Sequence, residues 1–191
     1  MAKLVVTEFV SLDGVMEDPG GAEGFKHGGW SFKFNRGPEG DKFKLDELDA
    51  ADSQLLGRVT YQGFAKAWPN IHDEQGFADR MNGMRKYVVS TTLTDDEATW
   101  NNSQVIRGDV AEGIAKLKAE PGGDILVAGS NTLVHFLTEQ GLVDEYHLMV
   151  FPIVLGSGKR IFAEASDATR LTLADCRTVG DGILVLTYQA Q

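Results

Sequence analysis

The stretch Asp124-Ile125-Leu126-Val127-Ala128-Gly129-Ser130-Asn131-Thr132-Leu133-Val134 limits what this chain can fold into more than any other. An apolar run gives way to a glycine and small polar residues, after which Leu133, Val134 and Leu137 recur at helical spacing. That is a buried strand turning directly into a helix, a junction typical of α/β domains. The first helical turn has backbone N–H groups without intrahelical partners and the positive end of the helix dipole, so an anion approaching Gly129 and Ser130 meets ready donors. The plainer alternative makes Gly129 a tight turn and Ser130 or Asn131 an N-cap.

Two more strand ends carry similar residues. Ser53-Gln54-Leu55-Leu56-Gly57 reads as a short strand, and the second half of Arg58 to Pro69 suits a helix that Pro69 stops. Arg58 and Thr60 fall within one helical turn of Gly57, where they are able to hydrogen-bond a phosphate; an exposed arginine and a capping threonine fit the same pattern. Arg85 to Ser90 is a third strand, tipped by Thr91 and Thr92.

Lys3 to Ser11 is rich in Val, Phe and Thr, which suits a central strand buried on both faces and covered by helices. It ends in Ser11-Leu12-Asp13-Gly14 and opens a Gly-rich irregular loop to about residue 36. Loops of that length inside a domain are often functional. Asp13, Glu17 and Asp18 sit at its start, where one of them is placed to hold a substrate N–H, or to relay a proton if burial raises its pKa. Asp13-Gly14 fits a simple turn equally well.

Further along, Gly40 to Ala50 predicts an amphipathic helix with a solvated charged side, Gly76 to Gly83 a short helix, and Val110 to Ala119 another. Asn101 to Gln104 reads as a loop before the brief apolar pair Val105-Ile106. Val143 to Leu155 has a long strand pattern broken at Pro152, and Gly180-Asp181-Gly182 joins two closing strands as a hairpin. Gly156-Ser157-Gly158-Lys159-Arg160 superficially suggests a phosphate loop, but it lacks the upstream glycine and the hydroxyl of G-x-x-x-x-G-K-[ST].

With 28 acidic and 18 basic residues, the net charge of −10 argues against nucleic-acid or anionic-membrane binding. Cys176 stands alone, which rules out an intrachain disulfide or a cysteine metal cluster, and the four histidines lack metal-ligand spacing, so no metal is expected. There is no G-x-S-x-G nucleophile elbow. No signal-like or membrane-spanning run occurs, so a cytoplasmic location is expected. The 191 residues contain no repeat or linker, and one domain over 1–191 is expected.

Taken together, Ser11-Leu12-Asp13-Gly14, Leu56 to Tyr61, Val88 to Leu93, Ile125 to Leu133 and Pro152 to Gly158 resemble, in order, the dihydrofolate-reductase-like fold, and within it the reductase domain of the bifunctional deaminase-reductase of riboflavin biosynthesis. The resemblance implies a three-layer αβα architecture with a mixed, mostly parallel sheet binding NADPH across the strand ends. It implies that Gly57, Arg58 and Thr60 hold the pyrophosphate, and that Ser90 and Thr91 border the adenosine and its 2′-phosphate. Gly129, Ser130, Asn131 and Thr132 take the other phosphate side, Asp13 faces the substrate as the catalytic candidate, and Gly156 and Ser157 form the opposite wall. The activity implied is reduction of a small pyrimidine- or pterin-like heterocycle, as in 5-amino-6-(5-phosphoribosylamino)uracil reductase. A non-catalytic nucleotide-binding or scaffolding domain on the same fold is the alternative. A Rossmann domain is disfavoured because no G-x-G-x-x-G follows the first strand. A homodimer is expected through the strand near Tyr146 to Val154 and the closing hairpin.

Overall fold

The structure, a computed structural model, describes residues 1–164 and 168–191. Its centre is an eight-stranded sheet. The strands are β1 (Leu4–Ser11), β2 (Ala51–Gly57), β3 (Arg85–Val89), β4 (Ser103–Ile106), β5 (Asp124–Val127), β6 (Glu145–Phe151), β7 (Leu171–Val179) and β8 (Ile183–Ala190). They lie in the order β4-β3-β2-β5-β1-β6-β8-β7. The first six run parallel, and β8 and β7 add an antiparallel hairpin. The mixed, mostly parallel sheet expected from the sequence is therefore present.

Strand alternation divides the apolar residues between two helical layers. Leu4, Val6, Leu55, Ile125 and Val127 pack with Ile114 of α4 (Val110–Ala119) and with Leu133, Val134 and Leu137 of α5 (Asn131–Glu139). Val5, Leu56, Val88 and Leu126 pack against Leu48 of α1 (Gly37–Ala50), Tyr61 of α2 (Arg58–Ala67) and Met81 of α3 (Phe77–Gly83). β1 and β5 are buried on both sides, which is why their sequences read as continuous apolar runs rather than as alternation.

Several local expectations shift. α2 begins at Arg58, directly after extended Gly57, rather than in the second half of its run. α1 begins at Gly37 because Pro38 occupies its first turn, where the fixed φ is already helical. β4 takes in Ser103 and Gln104, since pairing with β3 overrides their loop-like composition. The polar face of α1 is not simply solvated: Glu47 is buried between Lys44 (2.5 Å) and His147 of β6 (2.8 Å). β6 cannot pair with a second copy, because β1 and β8 take its two edges; the free sheet edge on that side is that of β7, beyond β8.

The long loop contains one 3₁₀ turn, Trp30–Lys33, and is tied down at both ends. Trp30 is fully buried against Phe151, with its indole N–H donating to the Glu17 carbonyl at 2.8 Å. At the other end the Asn35 N–H donates to Asp181 in the hairpin turn (2.7 Å).

Candidate functional site

Parallel strands finish at the same sheet edge, so β3, β2, β5, β1 and β6 deliver their C-terminal residues side by side. Along that edge Ser90 and Thr91 come first, then Gly57 to Thr60, then Gly129 to Thr132, then Asp13, then Gly156 and Ser157. Residues far apart in the chain thus form a single row.

The tightest part is the contact between the β2–α2 and β5–α5 junctions. The Gly57 N–H donates to the Gly129 carbonyl at 3.1 Å. A Cβ on Gly57 would lie 2.5 Å from Ser130 Oγ, and one on Gly129 would lie 2.8 Å from Thr60 Oγ1. Both positions therefore need glycine, and Gly129 has in addition a positive φ of 93°. The helices that start here, α2 and α5, have neither a side-chain cap nor an acidic residue in the first turn. By contrast α4 is capped by Asp109 and carries Glu112 in its first turn. Two helix ends with open N–H groups thus meet across a glycine floor, an arrangement suited to a phosphate-rich ligand.

Arg58 is exposed beside this floor and touches Gln62 at 3.2 Å. Thr60 is half-buried, Asn131 likewise, and Thr132 is exposed. Ser90 is buried, and its hydroxyl accepts the backbone N–H groups of Thr92 (3.2 Å) and Leu93 (2.9 Å), so it shapes its own turn. Thr91 stays exposed on that turn. Arg107, which the sequence reading passed over, follows β4 and bonds the Leu93 carbonyl at 2.6 Å, placing a second guanidinium on this side.

The acids of the long loop prove to be pins. Asp13 accepts the Ser11 hydroxyl at 2.7 Å and the backbone N–H groups of Leu155 (3.1 Å) and Gly156 (2.9 Å). The Ser11 hydroxyl, helped by those two amides, holds its carboxyl down to about 2. The condition for Asp13 as a proton relay, a raised pKa, is not met: it is an ionised clamp between the loops after β1 and β6. Glu17 accepts the Lys159 N–H, and Asp18 accepts the amides of Glu23 and Phe25. Gly156 and Ser157 are thereby held opposite Asp13, with the Ser157 hydroxyl buried and unpartnered. Asp13→Asn is expected to lower stability by about 1–2 kcal/mol in urea unfolding, since charge-assisted bonds weaken to neutral ones. An unchanged midpoint would show that the clamp is idle.

Two features of the site escaped the sequence reading. Leu12 and Val154 are 66% and 67% exposed, an apolar rim beyond the ends of β1 and β6. Glu8 is 8% exposed in the middle of β1, and burial pushes its carboxyl up to about 8, against the pull of Lys44 and the Gly129 backbone N–H. The signal was available as the one charged residue within Leu4 to Ser11.

Among the described residues, no cluster of His, Cys, Asp or Glu is arranged to hold a metal, and no helix is long and apolar enough to cross a membrane. A cavity of about 330 Å³ beside Asp49, Asp52 and Arg80 lies near the start of β2 and β3, away from these junctions. The row of strand ends outweighs it as a candidate, because that cavity offers no comparable set of open donors.

Comparison with known proteins agrees with the geometry. The chain is 30% identical over 146 residues to the uncharacterized protein YyaP of Bacillus subtilis (strain 168), covering 75% of this chain and 76% of that protein. Its fold matches that of a candidate riboflavin biosynthesis protein from Shewanella sp. PV-4 with a TM-score of 0.78 at 22% identity, covering 100% and 99% of the two chains. It also matches Acinetobacter baumannii RibD with a TM-score of 0.66 at 17% identity, over 100% of this chain and 58% of that longer one. The RibD C-terminal domain profile matches residues 2–185, and the chain belongs to that family.

Proposed function

We propose that the protein is an NADPH-dependent reductase of a small pyrimidine- or pterin-like heterocycle. The observation that carries this reading is the glycine floor at Gly57 and Gly129 between two uncapped, acid-free helix ends, with family membership in support. A pyrophosphate fits it: backbone N–H groups of α2 and α5 bind oxygens, the missing Cβ atoms allow close approach, and Arg58 adds charge at the rim. When bound, the nicotinamide would supply hydride. The chain's own contribution is to fix the cofactor by its phosphates, present the apolar rim of Leu12 and Val154 to a planar ring, and hold the surrounding loops through Asp13.

Thermal unfolding with NADPH, NADH and FMN tests the assignment. A ligand bound only by the folded state stabilises it by about 2.7 kcal/mol at ~100 times its dissociation constant. NADPH is expected to raise the midpoint, and Arg58→Ala to reduce the rise. No shift with NADPH would sink the reading, whereas binding without NADPH oxidation on any heterocycle would favour the non-catalytic alternative.

A further inference from the structure

β3 and β4 are parallel neighbours, so residues 90–102 must carry the chain from the end of the sheet that holds the candidate site back to the other end. Such crossovers are usually helical. This one is an irregular strap laid along α2, where its buried Leu93 and Trp100 pack with Tyr61 and Phe64. At the site end Thr91 stands in the row beside Gly57 to Thr60. Further along, Glu97 lies within reach of the Arg58 charge: the Thr94 N–H and hydroxyl, with Arg58 added, hold its carboxyl below the usual range.

The far end of the strap is held by a buried cation. Lys86 of β3 is fully buried, and among the described residues no carboxylate pairs with it. Its ammonium donates to the Asn82 carbonyl in the last turn of α3 (2.6 Å) and to the Asn101 carbonyl (3.0 Å), and lies 4.2 Å from the centroid of the Trp100 ring. Two carbonyls and a π face thus take the place of a counter-ion. Trp100 passes the restraint on. Its indole N–H donates to Asn82 Oδ1 (2.8 Å), and its backbone N–H donates to the hydroxyl of Tyr61 (3.0 Å), one turn beyond Arg58 on α2. A charge is expensive to bury, and an apolar side chain of the same length would fill the space at less cost, so the ammonium calls for a reason.

We propose that Lys86 is a positioning residue for the cofactor: by tying Trp100 and Asn101 to β3 it fixes the strap against α2, and so sets Thr91 and Arg58 at the adenosine end of the phosphate-binding row. This deepens the reductase reading and rests on it. Without the ammonium the Asn82 and Asn101 carbonyls lose their shared donor, and the strap is left to its backbone bonds and the apolar contacts of Leu93 and Trp100. The adenosine half of the ligand must then order the strap as it binds, which weakens binding.

The probe is 2′,5′-ADP, the adenosine half of NADPH, titrated calorimetrically into the native protein and three variants. Lys86→Met keeps the length of the side chain and removes its charge; it is expected to weaken binding of 2′,5′-ADP and of NADPH by the same factor, about tenfold. Tyr61→Phe removes only the hydroxyl that links the strap to α2, and a loss of about threefold or more is expected. Ile114→Ala, in the core on the other face of the sheet, destabilises the fold without touching the strap and is expected to keep native affinity. Native affinity in folded Lys86→Met or in Tyr61→Phe would overturn the proposal, as would a loss in Ile114→Ala equal to that in Lys86→Met; if Lys86→Met does not fold, Tyr61→Phe decides alone. Failure of the cofactor reading looks different: the native protein then binds neither 2′,5′-ADP nor NADPH, and the proposal falls with it.

Discussion

Between about pH 5 and pH 8 the protein is expected to lose stability as the pH rises, and Glu8→Gln is expected to remove most of that slope. In the unfolded chain Glu8 titrates near 4.5, whereas in the folded protein burial raises it to about 8. Across that window the native state keeps a proton that the unfolded state has released, so the contribution is fully present below 4.5 and is lost as the pH passes through about 8. The shift corresponds to a contribution on the order of 5 kcal/mol, a large part of the stability of an ordinary domain. Above this range the curve is expected to turn upward. Lys86 is fully buried, and burial lowers its ammonium from 10.5 to about 8, so there it is the unfolded state that holds the extra proton. Urea unfolding at a series of pH values reads both limbs. A flat native curve, or one that Glu8→Gln leaves unaltered, would show that the carboxyl is ionised in the fold.

Gly57→Ala is expected to abolish stabilisation by NADPH, with affinity falling about 100-fold, or about 2.7 kcal/mol. Gly57 has φ −72° and ψ 155°, an extended conformation open to any residue, so the effect is steric: the new methyl would lie 2.5 Å from Ser130 Oγ and 3.0 Å from its backbone nitrogen. Gly129→Ala is expected to act alike and to destabilise the fold as well, since its positive φ adds about 1–3 kcal/mol of backbone strain. Gly63→Ala, on α2 with nothing within 4 Å of the added carbon, is the control. It is expected to raise stability slightly, by about 0.5–1 kcal/mol, and to leave binding intact. Comparable NADPH shifts in all three variants would place the phosphate site elsewhere.

Much of this was legible in the chain. β5 and α5, β2 and α2, and the Gly180–Gly182 hairpin announce themselves because each depends on a local pattern: an apolar run, a glycine, or a proline stop. What escaped depended on partners distant in sequence. Glu47 looked like one more charge on a helix face until Lys44 and His147 enclosed it. Asp13 looked like a site acid until the amides of Leu155 and Gly156 closed on it. Ser90 carried a hydroxyl at a strand end, yet the following turn consumed it. Glu8 was hidden for the opposite reason: the apolar character of β1 made the strand easy to recognise and drew attention from its single acid.

The strand order also governs how the molecule must fold. β1 lies at the middle of the sheet, yet its two neighbours are supplied by residues 124–127 and 145–151. During synthesis its apolar residues wait unpaired until roughly 120 further residues have been made, and most of the sheet's central contacts close large chain loops. Contacts of such long sequence separation slow the search for the native state. The α/β units from β2 to α4 are able to gather earlier, but the sheet has no continuous middle until β1 is captured. That capture also brings the ends of β2, β5, β1 and β6 into one row, so the candidate site comes into existence late, together with the sheet rather than before it.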